Sequence, residues 1–115
     1  MNLVYKVCSK DEWDYANLNK FYAGSGVDNE DGFIHLSTKE QLSETVAKHF
    51  RGKKNLLIIS FSTEKLQDNL KWEVSRNGGL FPHYYGNLET KFAEKTYNLH
   101  LNANGIHEFP ENFFS

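Results

Sequence analysis

The chain has a single cysteine, Cys8, which excludes an internal disulfide. Long apolar runs are also missing; the longest, residues 56–59, is far too short to cross a bilayer. The first residues carry neither a positive n-region nor an apolar h-region, so a soluble, reducing, cytoplasmic setting is expected, with no membrane partner. An excess of one charge sign is lacking too. The net charge is -2 with both signs interspersed, which argues against electrostatic binding of nucleic acid. The one basic cluster, residues 48–54, reads as a helix C-terminus carrying cations. There are no repeats, linkers or low-complexity tracts, and 115 residues suit a single domain, 1–115.

What the chain does have is aromatic bulk. Apolar content is 39%, on the low side, but nine Phe, six Tyr and two Trp bury much area per residue and predict an aromatic-rich core. Residues 3–7 read as a first strand, with Cys8 a packed structural thiol. Ser9-Lys10-Asp11-Glu12 has the form of a capping box opening a helix that carries Trp13 and Leu18. Residues 22–31, rich in Gly, Ser, Asn and Asp, read as a loop leading to a strand through His35. Thr38-Lys39-Glu40-Gln41 is a second capping box, after which Leu42, Val46 and Phe50 recur on one helical face until Gly52 stops the helix. Residues 55–61 suit a central strand, followed by a short helical turn from Ser62 to Leu66. Residues 71–75 alternate as a strand, Arg76-Asn77-Gly78-Gly79 signals a hairpin or sharp bend, and Tyr97, Leu99 and Leu101 alternate toward a turn at Asn104-Gly105, with a short return at 106–109. Helices early and strands late predict an α+β domain.

Residues able to carry chemistry fall in three pieces. In Asp31-Gly32-Phe33-Ile34-His35-Leu36-Ser37-Thr38, a period of two sets His35 and Ser37 on the face opposite the apolar positions. Trp72-Glu73 supplies a carboxylate facing away from the tryptophan. Phe81-Pro82-His83-Tyr84-Tyr85-Gly86 joins a second imidazole and two phenols to a proline-fixed bend. His35-Leu36-Ser37 matches one half of the paired H-x-[ST] signature of two-histidine phosphoesterases, but His49, His83, His100 and His107 have no Ser or Thr two residues on. His35, Glu73 and His83 could in principle suit zinc or iron, yet no close pair such as H-x-x-x-H accompanies them, and no metal is expected. Structural roles stand beside the functional ones: His35 as a strand histidine near the Thr38 cap, Glu73 as a solvated carboxylate, residues 81–86 as a packed aromatic corner. If that corner walls a pocket, His83 and one of Tyr84 and Tyr85 lie partly exposed beside His35, the other tyrosine is an anchor, and Phe81 is buried.

Together, the aromatic first strand, Gly-Phe-Ile-His-Leu-Ser-Thr, Gln41, Leu-Leu-Ile-Ile, Trp72-Glu73 and Phe-Pro-His-Tyr-Tyr-Gly resemble the bacterial family catalogued as domain of unknown function 952, over nearly the full chain. Some of its members are labelled glutathione transferases, but no thioredoxin-like βαβ unit is legible here. The family is similar in fold to the ADP-ribosyltransferases, and the motif order is similar to the RNA 2′-phosphotransferase branch: residues 32–37, Arg51-Gly52, residues 56–59, then Asn77-Gly78 before Phe81-Pro82. This resemblance implies a split, curved, mostly antiparallel sheet with two early helices and a cleft for NAD. It implies that Lys6 anchors the dinucleotide, that His35 and Ser37 hold the nicotinamide ribose, and that Glu73 polarises its 2′-hydroxyl, with Glu73 and His35 the catalytic pair. Thr38, Gln41, His83, Tyr84 and Tyr85 complete the expected lining. The chain departs from the pattern twice: Tyr5-Lys6 stand where the first strand usually offers Arg or His, and Glu73 precedes the Asn-Gly turn it would be expected to follow.

The expected function is therefore binding of NAD or another nucleotide in a cleft, with ADP-ribosyl or phospho-ribosyl transfer. The alternative is a module of the same fold that binds a nucleotide or small metabolite without turnover, which the unmatched first-strand anchor favours.

Overall fold

The computed structural model describes residues 2–75 and 78–115. Strand β1 (Leu3–Ser9) runs directly into helix α1 (Lys10–Asn19), followed by β2 (Phe21–Tyr22), α2 (Val27–Asp31), β3 (Ile34–His35) and α3 (Leu42–His49). Then come β4 (Leu56–Ser62), α4 (Thr63–Leu66), β5 (Leu70–Val74), β6 (Leu80–Tyr84), β7 (Leu88–Glu89), β8 (Ala93–Leu101) and β9 (His107–Glu108). The Ser9 hydroxyl accepts from Glu12 N at 3.0 Å while Ser9 N donates to the Glu12 carboxylate at 2.9 Å, so the predicted capping box closes and starts α1.

The apolar run 56–62 becomes the central strand of an antiparallel sheet of order β1-β4-β8-β9. All seven residues of β4 are buried because both faces are covered. Leu57, Ile59 and Phe61 pack on one side with Trp13 and Ala16 of α1; Leu56 and Ile58 pack on the other with Leu42 and Val46 of α3. A second antiparallel sheet has the order β3-β6-β5, and β2 pairs with β7. The fold is thus α+β with antiparallel sheets and few helices.

Residues 34–37 join the two main sheets. Ile34 and His35 pair with Tyr84 and His83 of β6, whereas Ser37 pairs with Tyr5 of β1 through hydrogen bonds of 2.8 and 2.9 Å. At the crossing, Leu36 N donates to the Pro82 carbonyl at 3.0 Å. The nitrogen of Pro82 therefore faces the side where the third strand peels away, and its missing N–H removes no bond from the β5–β6 ladder.

Several expectations change. Residues 22–31 are not a plain loop, because Tyr22 belongs to β2 and 27–31 form α2, an element recruited by long-range contacts of Asp28. Residues 81–84 form a strand rather than a bend, since β3 and β5 pair with them on both sides; the turn follows at Gly86. Leu18 is 81% exposed and Trp72 46% exposed, so neither belongs to the core. Strand β8 starts at Ala93, before its predicted alternation, because β4 templates it. Val74 pairs with Leu80 at the end of the antiparallel β5–β6 ladder; of the predicted turn residues, Arg76 and Asn77 lie outside the described residues.

Phe61→Ala should destabilise the protein by about 3–5 kcal/mol through lost burial and a residual cavity. Leu18→Ala should stay within about 0.5 kcal/mol. Urea melts of the two variants check this ordering.

Candidate functional site

Strand alternation forces an unusual choice on β1. Val4 and Cys8 face the apolar core, and Lys6, between them, has the same parity. Its buried ammonium requires a partner. Asp28 supplies one: Lys6 Nζ donates to Asp28 Oδ2 at 2.8 Å and to the His35 carbonyl at 3.1 Å, and sits 5.6 Å from the Tyr22 ring centroid. The other carboxylate oxygen, Oδ1, accepts from His35 N at 2.9 Å and from His35 Nδ1 at 2.6 Å. Burial pushes the Asp28 carboxyl up, but the bonds from His35 and the charge of Lys6 outweigh it and hold it at about 2. Gly24 permits this seat, because a Cβ there would lie 2.9 Å from that of Asp28. Burial, only partly offset by the charge of Lys6, pushes the nearby Cys8 thiol up to about 12, which suits a structural residue.

His35 stands directly opposite His83 in the β3–β6 register, and Lys71 opposite His83 from the other side. By alternation Phe33, His35, Lys71, Glu73, Phe81, His83 and Tyr85 share one face of this sheet. Phe33 stacks on His83 with centroids 4.0 Å apart; the two imidazoles are 5.4 Å apart, and Tyr85 lies 5.4 Å from Phe33. His83 Nδ1 and the Tyr85 hydroxyl both donate to Glu73 Oε1, each at 2.8 Å. These bonds hold the Glu73 carboxyl below its ordinary value and, in return, push the Tyr85 phenol up. Among the described residues, Glu73 Oε2 and His83 Nε2 have no hydrogen-bond partner. The arrangement offers aromatic planes, a carboxylate oxygen, an imidazole nitrogen and an exposed cation on one open shelf.

Two depressions lie away from the shelf. One of about 450 Å³ lies between α1 and residues 21–29, and one of about 640 Å³ lies beside Lys65 and Lys91; neither is lined by His35, Glu73 or His83. Among the described residues, no three His, Cys, Asp or Glu side chains form a group able to hold a metal ion.

His35, Glu73, His83 and Tyr85 come together on this face. The other expected lining residues do not. Lys6 is withdrawn into its pair with Asp28, and Tyr84 is packed in the core as the anchor. Ser37 is buried with its hydroxyl 3.0 Å from that of Thr45 on α3. Thr38 and Gln41 bond reciprocally as a capping pair, and the Gln41 amide donates to the Leu80 carbonyl at 2.8 Å, bracing the start of β6. His83 is only 5% exposed and Phe81 half-buried, the reverse of the expectation, because Phe33 covers the imidazole while Phe81 lies one residue from the end of the β5–β6 ladder. Asp28, Asp31, Phe33 and Lys71 enter unanticipated. The spacing of Asp31 four residues before His35, and of Lys71 two before Glu73, carried the available signal; Asp28 has none in the local sequence.

Acid stability should report the Asp28 seat. A carboxyl with a depressed folded-state value stabilises the protein above its unfolded value of 3.8 and loses that contribution as pH falls through about 2. On the order of 2 kcal/mol should therefore disappear between about pH 4 and pH 2. Asp28→Asn should be less stable at neutral pH and should lack this part of the acid loss in denaturation curves. On the shelf, Glu73→Gln should return the Tyr85 phenol toward its ordinary value, read by an NMR titration of the tyrosine ring.

The fold has solved counterparts. The X-ray crystal structure of protein CC0527 from Caulobacter crescentus is similar with 45% sequence identity and a TM-score of 0.88, covering 92% of this chain and 93% of that one. The solution NMR structure of CC0527 gives 46% identity and a TM-score of 0.81, covering 92% and 91%. No curated protein matches the chain. Residues 7–96 match the model of the family described as protein of unknown function (DUF952), and the chain belongs to that family.

Proposed function

We propose that this protein binds a nucleotide of the NAD type on the face formed by Phe33, His35, Glu73, His83 and Tyr85, and that it transfers the ADP-ribosyl or a phospho-ribosyl group. The observation that carries this reading is the pair of atoms without a hydrogen-bond partner among the described residues, Glu73 Oε2 and His83 Nε2, beside the Phe33 and Tyr85 rings. The aromatic rings give a plane for nicotinamide or a base. Glu73, kept ionised by His83 and Tyr85, accepts from a ribose hydroxyl with its second oxygen and stabilises the positive charge that grows at the anomeric carbon as the glycosidic bond breaks. Lys71, exposed on the same face, meets the phosphates.

A binding module without turnover is the second reading, and one observation favours it: Lys6, in the expected anchor position, is already paired with Asp28 and adds nothing to the shelf.

In an NMR titration with ~1 mM NAD, near the upper end of ordinary substrate affinities, resonances of His35, His83 and Tyr85 should shift. Chromatography of the same mixture should show nicotinamide release, reduced by about 10²–10³ in Glu73→Gln. Shifts without product select the binding module. Absence of shifts in the wild type overturns both readings.

A further inference from the structure

His35 already holds an anion at each ring nitrogen, and the two anions differ in how firmly they are seated. Asp28, against Nδ1, has a side chain 2% exposed and takes bonds from His35 N, Lys6 Nζ and Ser25 N as well. Asp31, against Nε2 at 2.9 Å, is 42% exposed and has His35 as its hydrogen-bond partner. Both ring nitrogens of His35 thus face a carboxylate oxygen, at 2.6 Å from Asp28 and 2.9 Å from Asp31. The other charged and titratable groups around it are Lys6 on β1, which reaches its carbonyl, and His83 on β6, 5.4 Å away and bonded to Glu73. Asp31 is the last residue of α2 and is followed by Gly32 at φ +81°, where the chain turns sharply toward β3.

We infer that Asp31 is a built-in stand-in for the ligand's anionic group: its carboxylate occupies His35 Nε2 in the free protein, and a phosphate of the incoming nucleotide displaces it. This inference rests on the proposed nucleotide reading and names the ligand group that His35 receives. The geometry supports the exchange. A half-exposed carboxylate with one partner leaves at little cost, so a phosphate oxygen can take its place, whereas Asp28 stays and keeps the ring oriented through Nδ1. The displaced carboxylate returns to water at the end of a five-residue helix. Asp31 thereby sets a threshold: a neutral acceptor that displaced it would meet Nε2 without the charge that Asp31 brings, whereas a phosphate supplies both.

The test titrates inorganic pyrophosphate into the full chain with ¹⁵N-labelled histidine and follows the His35 ring nitrogens. Asp31→Ala should bind pyrophosphate about fivefold more tightly than the wild type, the loss of one exposed competing pair. Asp31→Asn, which keeps an acceptor without charge, should fall between the two. The control is Glu30→Ala, which removes an exposed carboxylate from α2, whereas the His35 ring nitrogens bond to Asp28 and Asp31. Its affinity should match the wild type. Equal gains in Glu30→Ala and Asp31→Ala would show a general charge effect and overturn the inference, as would a His35 ring indifferent to pyrophosphate in every variant. If NAD still shifts His83 and Tyr85 in that last case, the inference fails alone; if NAD shifts neither while Asp31→Ala still gains pyrophosphate affinity at His35, the nucleotide reading fails and Asp31 remains an anion competitor. Asp31 is exposed, and unchanged thermal melts of its variants ensure that affinity, not folding, is compared.

Discussion

The buried Lys6–Asp28 pair is the constraint on which the rest of the site depends. A lysine at a core-facing position of β1 admits few solutions, and the one adopted brings a carboxylate from 22 residues away into the apolar side of the sheet. That carboxylate then holds the backbone and the ring of His35. Three segments distant in sequence are fixed around one group. An ion pair of this kind is weak evidence for net stability, since desolvation of both charges offsets much of their attraction. Its structural effect is to specify geometry: it places α2, seats the segment before β3 and orients an imidazole.

Residues 34–37 transmit this geometry to the second sheet. Because Ser37 belongs to the ladder of β1 while His35 belongs to that of β6, two residues of displacement separate the main core from the shelf. Pro82 sits where this crossing leaves no partner for an N–H, so a residue normally excluded from interior strands is accommodated. The neighbouring His83 is then locked from three directions, by His35, Phe33 and Glu73.

The two histidines share a plan with different settings. Each presents Nδ1 to a carboxylate, which fixes the ring, while Nε2 meets Asp31 in His35 and has no partner among the described residues in His83. For His35 the orienting carboxylate is buried and strongly bonded; for His83 it lies at the surface, shared with Tyr85, with one oxygen to spare. In the proposed function the first dyad receives a ligand group and the second meets a hydroxyl or a developing charge.

By itself the sequence determined the elements whose signals are local. The Ser9 capping box, the helix through Leu42 and Val46, the central strand and the strand-borne positions of His35 and Glu73 follow from hydrogen-bonding side chains and periodic burial within a few residues. The Phe-Pro-His-Tyr-Tyr-Gly motif likewise marks His83 and Tyr85. Only tertiary structure decided which of the marked residues meet. Lys6 looked like a ligand anchor because its strand position matched one, yet the same parity that suggested a role turned its side chain into the core, where only Asp28 could satisfy it. Ser37 alternates with His35 in sequence but pairs with a different sheet, so its hydroxyl meets Thr45 instead. Asp28 lay in a stretch whose composition reads as a loop, and its partner is on the first strand; burial of a charge is a long-range requirement that no local pattern encodes.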